Sequence, residues 1–179
     1  YTKNRMERLG FTNRVNVKFL DYRDLKDKYD AIASIEMIEA VGEKNLKEYF
    51  SIIKNNLKPN GVGAIQAIII KDELFKRYRK NQDFIQKYIF PGGFLPSLES
   101  IKEYSKKTGL TLNDYKSYGG HYSQTLIKWR KNFINSWSQI SQQGFDNSFK
   151  KIWDFYFSYC EAGFRSKNID LIQFLVRNK

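Results

Sequence analysis

The pattern of hydrophobic positions changes its period along the chain and predicts an alternation of strands and helices. Two apolar runs, residues 29–35 and 63–70, lack regular polar alternation, which is typical of parallel strands covered on both faces. Between them, residues 46–57 carry apolar side chains at helical spacing and predict an amphipathic helix. Strand, helix and strand at this short spacing indicate an α/β fold with a parallel sheet.

The same reasoning extends to both ends of the chain. Helices are predicted over residues 2–9, 98–108, 122–140 and 145–164, and strands over residues 15–20, 110–117 and 169–177. The Lys-Pro-Asn-Gly sequence at residues 58–61 predicts a break between the second helix and the strand that follows it.

Polar side chains occur where the predicted strands end. Glu36 and Glu39 follow the first apolar run directly, and Gln66 is the one polar residue inside the second run. Tyr22 and Arg23 follow the predicted strand over residues 15–20. Ligands of open α/β sheets bind outside the carboxyl ends of the strands. These residues therefore mark a candidate site at one edge of the sheet.

Composition narrows the class of protein. The hydrophobic fraction is 41% of the 179 residues, which is enough for a folded core in one domain. No apolar run is long enough to span a bilayer, and no signal peptide is visible. A single cysteine, Cys160, excludes an internal disulfide and fits a reducing cytoplasm. The net charge of +12 favours a polyanionic partner, either nucleic acid or an anionic membrane surface.

Four motifs, in order along the chain, together resemble one family. They are residues 29–42, YIFPGGFLPS at 88–97, GGHYSQTL at 119–126 and YCEAGFRSKNIDLIQ at 159–173. They resemble the cyclopropane-fatty-acyl-phospholipid synthase family. The resemblance implies a Rossmann-like methyltransferase fold that uses S-adenosylmethionine. It also implies transfer of a one-carbon unit to the double bond of an unsaturated acyl chain in a membrane phospholipid, forming a cyclopropane fatty acid.

The resemblance also implies how the chain is organised. The family's glycine-rich cofactor loop and a cysteine of its bicarbonate site would lie upstream of Tyr1. We therefore expect residues 1–179 to be the C-terminal part of a single catalytic domain, with a helical acyl-binding insertion at about residues 71–108. Phe84, Tyr88, Phe90 and Phe94 are candidates to line an acyl-chain tunnel, although a core role explains aromatic residues equally well.

For the cofactor, the resemblance assigns Tyr22 and Arg23 to the adenine. It assigns Ile35 and Glu36 to the strand end beside the cofactor. Tyrosine and arginine can both stack on a purine ring, and a backbone edge at a strand end is a common resting place for adenosine. From the residues alone, an exposed turn and an ordinary strand end explain these positions as well. No metal site is expected.

For the reaction, the resemblance implies a bicarbonate ion held by Glu39, Gln66, Ile68 and Tyr122. Methyl transfer to an alkene leaves a carbocation, and a base that removes a proton from the new methyl group closes the ring. Family members often carry histidine at the position of Gln66, and an amide cannot relay a proton near neutral pH. Cys160 also matches a candidate active-site residue, with a buried structural thiol as the alternative.

The resemblance favours an anionic membrane surface, with phospholipids bearing unsaturated acyl chains as substrate and no nucleic-acid partner. The protein is expected in the cytoplasm, peripherally associated with the inner face of the membrane. A homodimer is left open. Two alternatives remain: methyl or methylene addition without ring closure, which Gln66 favours, and a non-catalytic basic α/β module that binds nucleic acid or membrane.

Overall fold

The computed structural model describes residues 1–179 and is built around one four-stranded sheet with the order β1-β2-β4-β3. The strands are β1 (Tyr29–Ile35), β2 (Leu57–Ile70), β3 (Leu110–Ser117) and β4 (Ile169–Asn178). β1 and β2 pair in parallel, which confirms the predicted adjacency of the two apolar runs. β4 is antiparallel to both β2 and β3, so β1, β2 and β3 share one direction and β4 runs the opposite way between two of them.

Nine helices connect and cover the strands. They are α1 (Thr2–Arg8), α2 (Ile38–Val41), α3 (Leu46–Asn56), α4 (Asp72–Tyr78), α5 (Phe84–Tyr88), α6 (Leu98–Lys107), α7 (Gly119–Asn135), α8 (Trp137–Ser141) and α9 (Asn147–Arg165). Short 3-10 turns occur at Tyr22–Asp24 and Glu43–Asn45. No helix combines the length and the apolar character that crossing a bilayer requires.

The two faces of the sheet are covered by different helices, because alternate residues of β2 point to opposite sides. Ile65, Ala67 and Ile69 pack in the main core with residues of α3 and α6 such as Phe50 and Ile101. Ile68, on the opposite face, packs in a second cluster with residues of α7, α9 and β4. The helical pair α7 and α9 is thereby fixed against the face of the sheet that carries Gln66.

Four of the predicted elements are wrong, in whole or in part. β1 is not covered on both faces: it is an edge strand with β2 as its one partner, and Ile35 is 60% exposed. Residues 15–20 form no strand because no neighbouring strand pairs with them, and Phe19 is fully exposed. β2 begins at Leu57 and continues through the predicted break, with Asn60 at a φ of 63°. The helix predicted from residue 122 begins at Gly119 and ends at Asn135.

Candidate active site

A polar cluster lies at the carboxyl edge of β1 and β2. Ile35, the last residue of β1, pairs with Gln66, and the next residue, Glu36, donates its backbone N–H to the Gln66 carbonyl at 3.0 Å. Glu36 has a φ of 48°, in the left-handed region that residues other than glycine rarely adopt. The chain therefore leaves the sheet abruptly at Glu36, and this residue is held by backbone bonding as it does so.

The Glu36 carboxylate is the centre of this cluster. Its Oε1 atom accepts from Gln66 Nε2 at 2.7 Å, and its Oε2 atom accepts from the Tyr122 hydroxyl at 3.2 Å. Gln66 Oε1 in turn accepts from Gln173 Nε2 at 2.7 Å, across the pairing of β2 with β4. The contacts fix the direction of the Gln66 amide, with its NH₂ group toward Glu36 and its oxygen toward Gln173.

Tyr122 reaches the cluster because the start of α7 is tied to β4. Asp170 accepts from the Ser117 hydroxyl at 2.6 Å and from the Gly119 backbone N–H at 2.9 Å. Tyr122 follows within the first turn of α7. Burial raises the pKa of the Tyr122 hydroxyl, and the negative charge of Glu36 raises it further. The hydroxyl therefore stays protonated and remains a donor to Glu36.

Two residues of α9 border the cluster. Burial raises the pKa of the Cys160 thiol to about 12. The neighbouring Tyr156 hydroxyl opposes this effect only in part, and burial raises its own pKa as well. Thiolate is the nucleophilic form of cysteine. A thiol this weakly acidic is neither a nucleophile nor a base at neutral pH, so the structure favours the packing role for Cys160.

Glu39 lies in α2 and has different partners. Its Oε1 atom accepts from the Ile68 backbone N–H at 2.5 Å, and its Oε2 atom is buried without a hydrogen-bond partner. Burial raises the pKa of the Glu39 carboxyl, and the charge of Glu36 adds to the effect. The four residues expected to share one ion thus form two separate contacts: Glu39 binds Ile68, whereas Gln66 and Tyr122 both bind Glu36.

Tyr22 and Arg23 lie on the 3-10 turn before β1. Arg23 is paired with Asp21, its Nη2 atom 2.8 Å from Asp21 Oδ2. The Tyr22 ring packs edge-on against Tyr49 at 6.1 Å between centroids, and the Tyr49 hydroxyl donates to Ser34 Oγ at 2.8 Å. This turn therefore lies beside α3 and β1. No hydrogen bond joins Tyr22 or Arg23 to the Glu36 cluster.

Aromatic side chains connect α5 to α9. The centroid of the Phe84 ring is 4.7 Å from that of Phe155 and 5.9 Å from that of Tyr159. The ring centroids of Phe90 and Tyr156 are 6.1 Å apart. Phe155 and Tyr159 are exposed on their outer side, as are Tyr88 and Phe90. Phe94 differs from the other tunnel candidates, because it is buried in the main core against Phe75 and Tyr78.

One cleft does not coincide with either the Glu36 cluster or the aromatic group of α5 and α9. It has a volume of about 600 Å³ and lies between the loop after α2 and the connection from α4 to α5. Its walls include Lys44, Arg79 and Lys80, and only two of its thirteen lining residues are hydrophobic. Acyl chains require apolar walls, so this cleft is not an acyl-chain tunnel.

Sequence reasoning missed two residues of the cluster, Tyr156 and Gln173. Gln173 stands opposite Gln66 only through the register of β2 with β4, which joins residues 107 positions apart. The polar position of Gln173 between Ile172 and Phe174 was a visible signal, but alternation in a strand explains it equally well. Tyr156 carries no local signal, because aromatic residues recur throughout α9.

Comparison with known proteins places this geometry in a family. The family model described as mycolic acid cyclopropane synthetase matches residues 1–174. The chain belongs to this family. Among its curated relatives is the tuberculostearic acid methyltransferase UfaA1 of Mycobacterium tuberculosis, 41% identical over 172 residues, which are 96% of this chain and 40% of that protein. The cyclopropane-fatty-acyl-phospholipid synthase of Escherichia coli is 35% identical over 159 residues, which are 89% of this chain and 40% of that protein.

Solved structures of the family share the fold. Mycolic acid cyclopropane synthase CmaA1, complexed with SAH and CTAB, superposes with a TM-score of 0.82 at 26% identity, over 97% of this chain and 65% of that one. The cyclopropane synthase MmaA2 from Mycobacterium tuberculosis superposes with a TM-score of 0.79 at 24% identity, over 98% of this chain and 67% of that one. The α/β sheet is thus that of an S-adenosylmethionine-dependent methyltransferase fold, as the sequence predicts. The chain spans about 40% of the length of the curated relatives it matches.

Proposed function

We propose that this protein transfers a one-carbon unit from S-adenosylmethionine to the double bond of an unsaturated fatty acyl chain. The observation that carries the proposal is the convergence of Glu36, Gln66 and Tyr122 from three separate elements at the carboxyl edge of the sheet. In a member of this family, a carboxylate and a neutral phenol at that edge are suited to chemistry that passes through a cation. The names of the UfaA1 and E. coli relatives support the same class of reaction.

S-adenosylmethionine supplies an electrophilic methyl group on a sulfonium. The residues proposed to hold it are Tyr22 and Arg23 for the adenine, and the backbone of Ile35 and Glu36 at the end of β1. The geometry fits this assignment, because Ile35 is 60% exposed and Tyr22 lies beside the same strand through Tyr49. The Glu36 side chain points to Gln66 and Tyr122, and its N–H is bound to the Gln66 carbonyl, so the proposal gives the cofactor the exposed strand end at Ile35.

Around the acyl chain, the protein's own groups would stabilise the positive charge that develops after methyl transfer. Glu36 offers a full negative charge, and the rings of Tyr122 and Tyr156 offer π faces. Burial raises the pKa of both hydroxyls, so both phenols stay neutral at physiological pH. The half-buried Phe84 and the exposed Tyr88 and Phe155 supply apolar surface between α5 and α9 for an acyl chain, which supports an acyl-binding role for residues 71–108 together with α9.

The residues expected to hold bicarbonate do not fit that ion as they are arranged. The Ile68 N–H donates to Glu39, and the donors of Gln66 and Tyr122 both end on Glu36. A further anion would have to displace a carboxylate from its donors and lie beside two acidic side chains. Loss of a proton from the new methyl group still requires an acceptor at this site.

We propose that the acyl chain belongs to a membrane phospholipid. The enzyme would bind it peripherally, at the cytoplasmic inner face of the membrane. The net charge of +12 supports attraction to anionic lipid. We predict that the full-length protein binds phosphatidylglycerol vesicles more tightly than phosphatidylcholine vesicles in a flotation assay, and that the preference declines with salt. Equal binding to both, or tighter binding to duplex DNA than to either, would contradict the proposal and favour a basic binding module.

A specific observation favours a second product, in which a methyl or methylene group is added without ring closure. Gln66 cannot relay a proton, and a relative 41% identical to this chain is named a methyltransferase rather than a cyclopropane synthase. One experiment tests the proposed transfer and distinguishes the two products: incubation of the full-length protein with methyl-labelled S-adenosylmethionine and vesicles of monounsaturated phosphatidylglycerol. Gain of one labelled CH₂ unit supports the proposed function, and NMR of the product separates a cyclopropane ring from a methyl or methylene branch. No transfer to any unsaturated lipid would refute it.

A further inference from the structure

We propose that the Glu36 carboxylate is itself the proton acceptor of the reaction, in the place where the family resemblance implies a bicarbonate ion. The inference rests on the proposed function, because it names the base for that reaction. Two donors that the resemblance assigns to bicarbonate, Gln66 and Tyr122, both end on Glu36, at 2.7 Å and 3.2 Å. The side chain therefore occupies the position between the two donors at which a small oxyanion would be bound.

The orientation of Gln66 shows that its site is built for an acceptor. Gln173 Nε2 donates to Gln66 Oε1 at 2.7 Å, so the oxygen of the Gln66 amide is already used. Only its NH₂ group faces the cluster, and an NH₂ group can bind only an acceptor. The Tyr122 hydroxyl, kept protonated by burial, is a donor as well. Each group donates to a different oxygen of Glu36, so together they stabilise its carboxylate and fix its orientation.

The backbone supplies an independent observation. Glu36 is one of three non-glycine residues with positive φ, and it is the one that directly follows β1 at the edge of the sheet where ligands bind. Its N–H is bound to the Gln66 carbonyl at 3.0 Å. Strained backbone of this kind persists where the surroundings hold it, and it is concentrated at functional sites. In this conformation the carboxylate lies over Gln66 rather than continuing along the strand.

The proton transfer balances without an external ion. After the alkene attacks the sulfonium methyl group, the C–S electrons remain on sulfur and the second alkene carbon is cationic. A Glu36 oxygen takes a proton from the new methyl group, and the electron pair of that C–H bond forms the third bond of the ring. Glu36 becomes a neutral carboxylic acid and returns the proton to solvent, to which this residue is exposed. Glu36 is thus a catalytic residue, while Gln66 and Gln173 are positioning residues.

The test compares activity with and without bicarbonate. Wild-type full-length protein, assayed with methyl-labelled S-adenosylmethionine and monounsaturated phosphatidylglycerol vesicles, is expected to keep its turnover in buffer stripped of carbon dioxide and to gain less than about twofold from added bicarbonate. Glu36→Gln, which keeps the size of the side chain, is expected to lower kcat by about 10²–10⁴-fold while leaving cofactor affinity by calorimetry nearly unchanged. Glu103→Gln, an exposed glutamate of α6 paired with Lys107, is the matched control and should match the wild type.

Glu36→Ala makes the test sharper, because it frees the donors of Gln66 and Tyr122 and leaves space for a small anion. Added bicarbonate or formate is expected to restore part of its turnover with saturation, which a merely structural role for Glu36 would not produce. A wild-type enzyme that stops without bicarbonate, or a folded Glu36→Gln variant with wild-type turnover, would overturn the inference while the proposed function stood. A wild-type protein with no transfer activity under either condition would instead refute the proposed function.

Discussion

The substitution Gly119→Ala tests whether Asp170 fixes the start of α7 and thereby places Tyr122. Gly119 is buried, and a Cβ atom added there would lie 2.5 Å from Asp170 Oδ1 and 3.2 Å from a ring carbon of Phe164. The first distance is too short for any side chain to tolerate, so Asp170 must move. Moving Asp170 breaks its 2.9 Å bond to the Gly119 N–H. The neighbouring residue, Gly120, has nothing within 4 Å of the same added atom.

The expected magnitude follows from these contacts. Overpacking costs about 1–3 kcal/mol, and a buried N–H left without a partner costs about 1–3 kcal/mol. The two costs arise from one displacement, so they overlap, and the better helix propensity of alanine offsets at most about 1 kcal/mol. We therefore expect Gly119→Ala to lower the free energy of unfolding by about 1–3 kcal/mol. Gly120→Ala should be neutral or stabilising by up to about 1 kcal/mol.

The assay is urea-induced unfolding of the full-length protein followed by circular dichroism, with Gly120→Ala as the matched control. Turnover measured in parallel should fall for Gly119→Ala beyond the loss of folded protein, because Tyr122 is displaced from Glu36. If Gly119→Ala were as stable as Gly120→Ala and equally active, the Asp170 contact would not position α7, and the route by which Tyr122 reaches the cluster would have to be sought elsewhere.

Two further predictions concern titratable groups near the cluster. Burial raises the pKa of Cys160 to about 12, so iodoacetamide should label the Cys160 peptide about a thousandfold more slowly in the native protein at pH 8 than in urea. The substitution Cys160→Ala should keep turnover within about twofold. Rapid labelling of the native protein would show that the thiol is reactive. Burial raises the pKa of the Glu39 carboxyl above its ordinary value, so the folded state binds the carboxyl proton more tightly than the unfolded state does. The contribution of Glu39 to folding stability is therefore present at acidic pH and is lost as pH rises through the folded-state pKa. Relative to the wild type, Glu39→Gln should therefore gain stability from about pH 4 to pH 7 in urea unfolding, whereas a pH-independent difference would show that the Glu39 pKa is not raised.

Much of the architecture was predictable because the apolar runs set it locally. The parallel pairing of β1 with β2, the helix between them and the strand at β4 follow from hydrophobic period alone. The exposure of β1 and the absence of a strand at residues 15–20 were not predictable, because both depend on which strands are neighbours rather than on the segment itself. An apolar run looks the same at the edge of a sheet and at its centre.

The site was predictable in its residue types but not in its contacts. Strand ends and motifs identified Glu36, Glu39, Gln66 and Tyr122. The sequence does not show, however, which of these side chains contact one another. Glu36 and Glu39 are three residues apart, one directly after β1 and the other in α2, and the left-handed backbone at Glu36 turns its side chain toward Gln66. The role of Gln173 depends in the same way on the register between strands far apart in sequence.

The reversed strand β4 has a consequence for how the protein is made. β4 lies between β2 and β3, and β3 has no other partner in the sheet. During synthesis, β2 must wait for about a hundred further residues before its second partner leaves the ribosome, and β3 has no strand to pair with until then. The nascent chain therefore carries two unsatisfied strand edges at once, each open to pairing with other chains. Ribosome-bound intermediates that stop before residue 169 should accordingly depend on chaperones far more than chains that extend past β4.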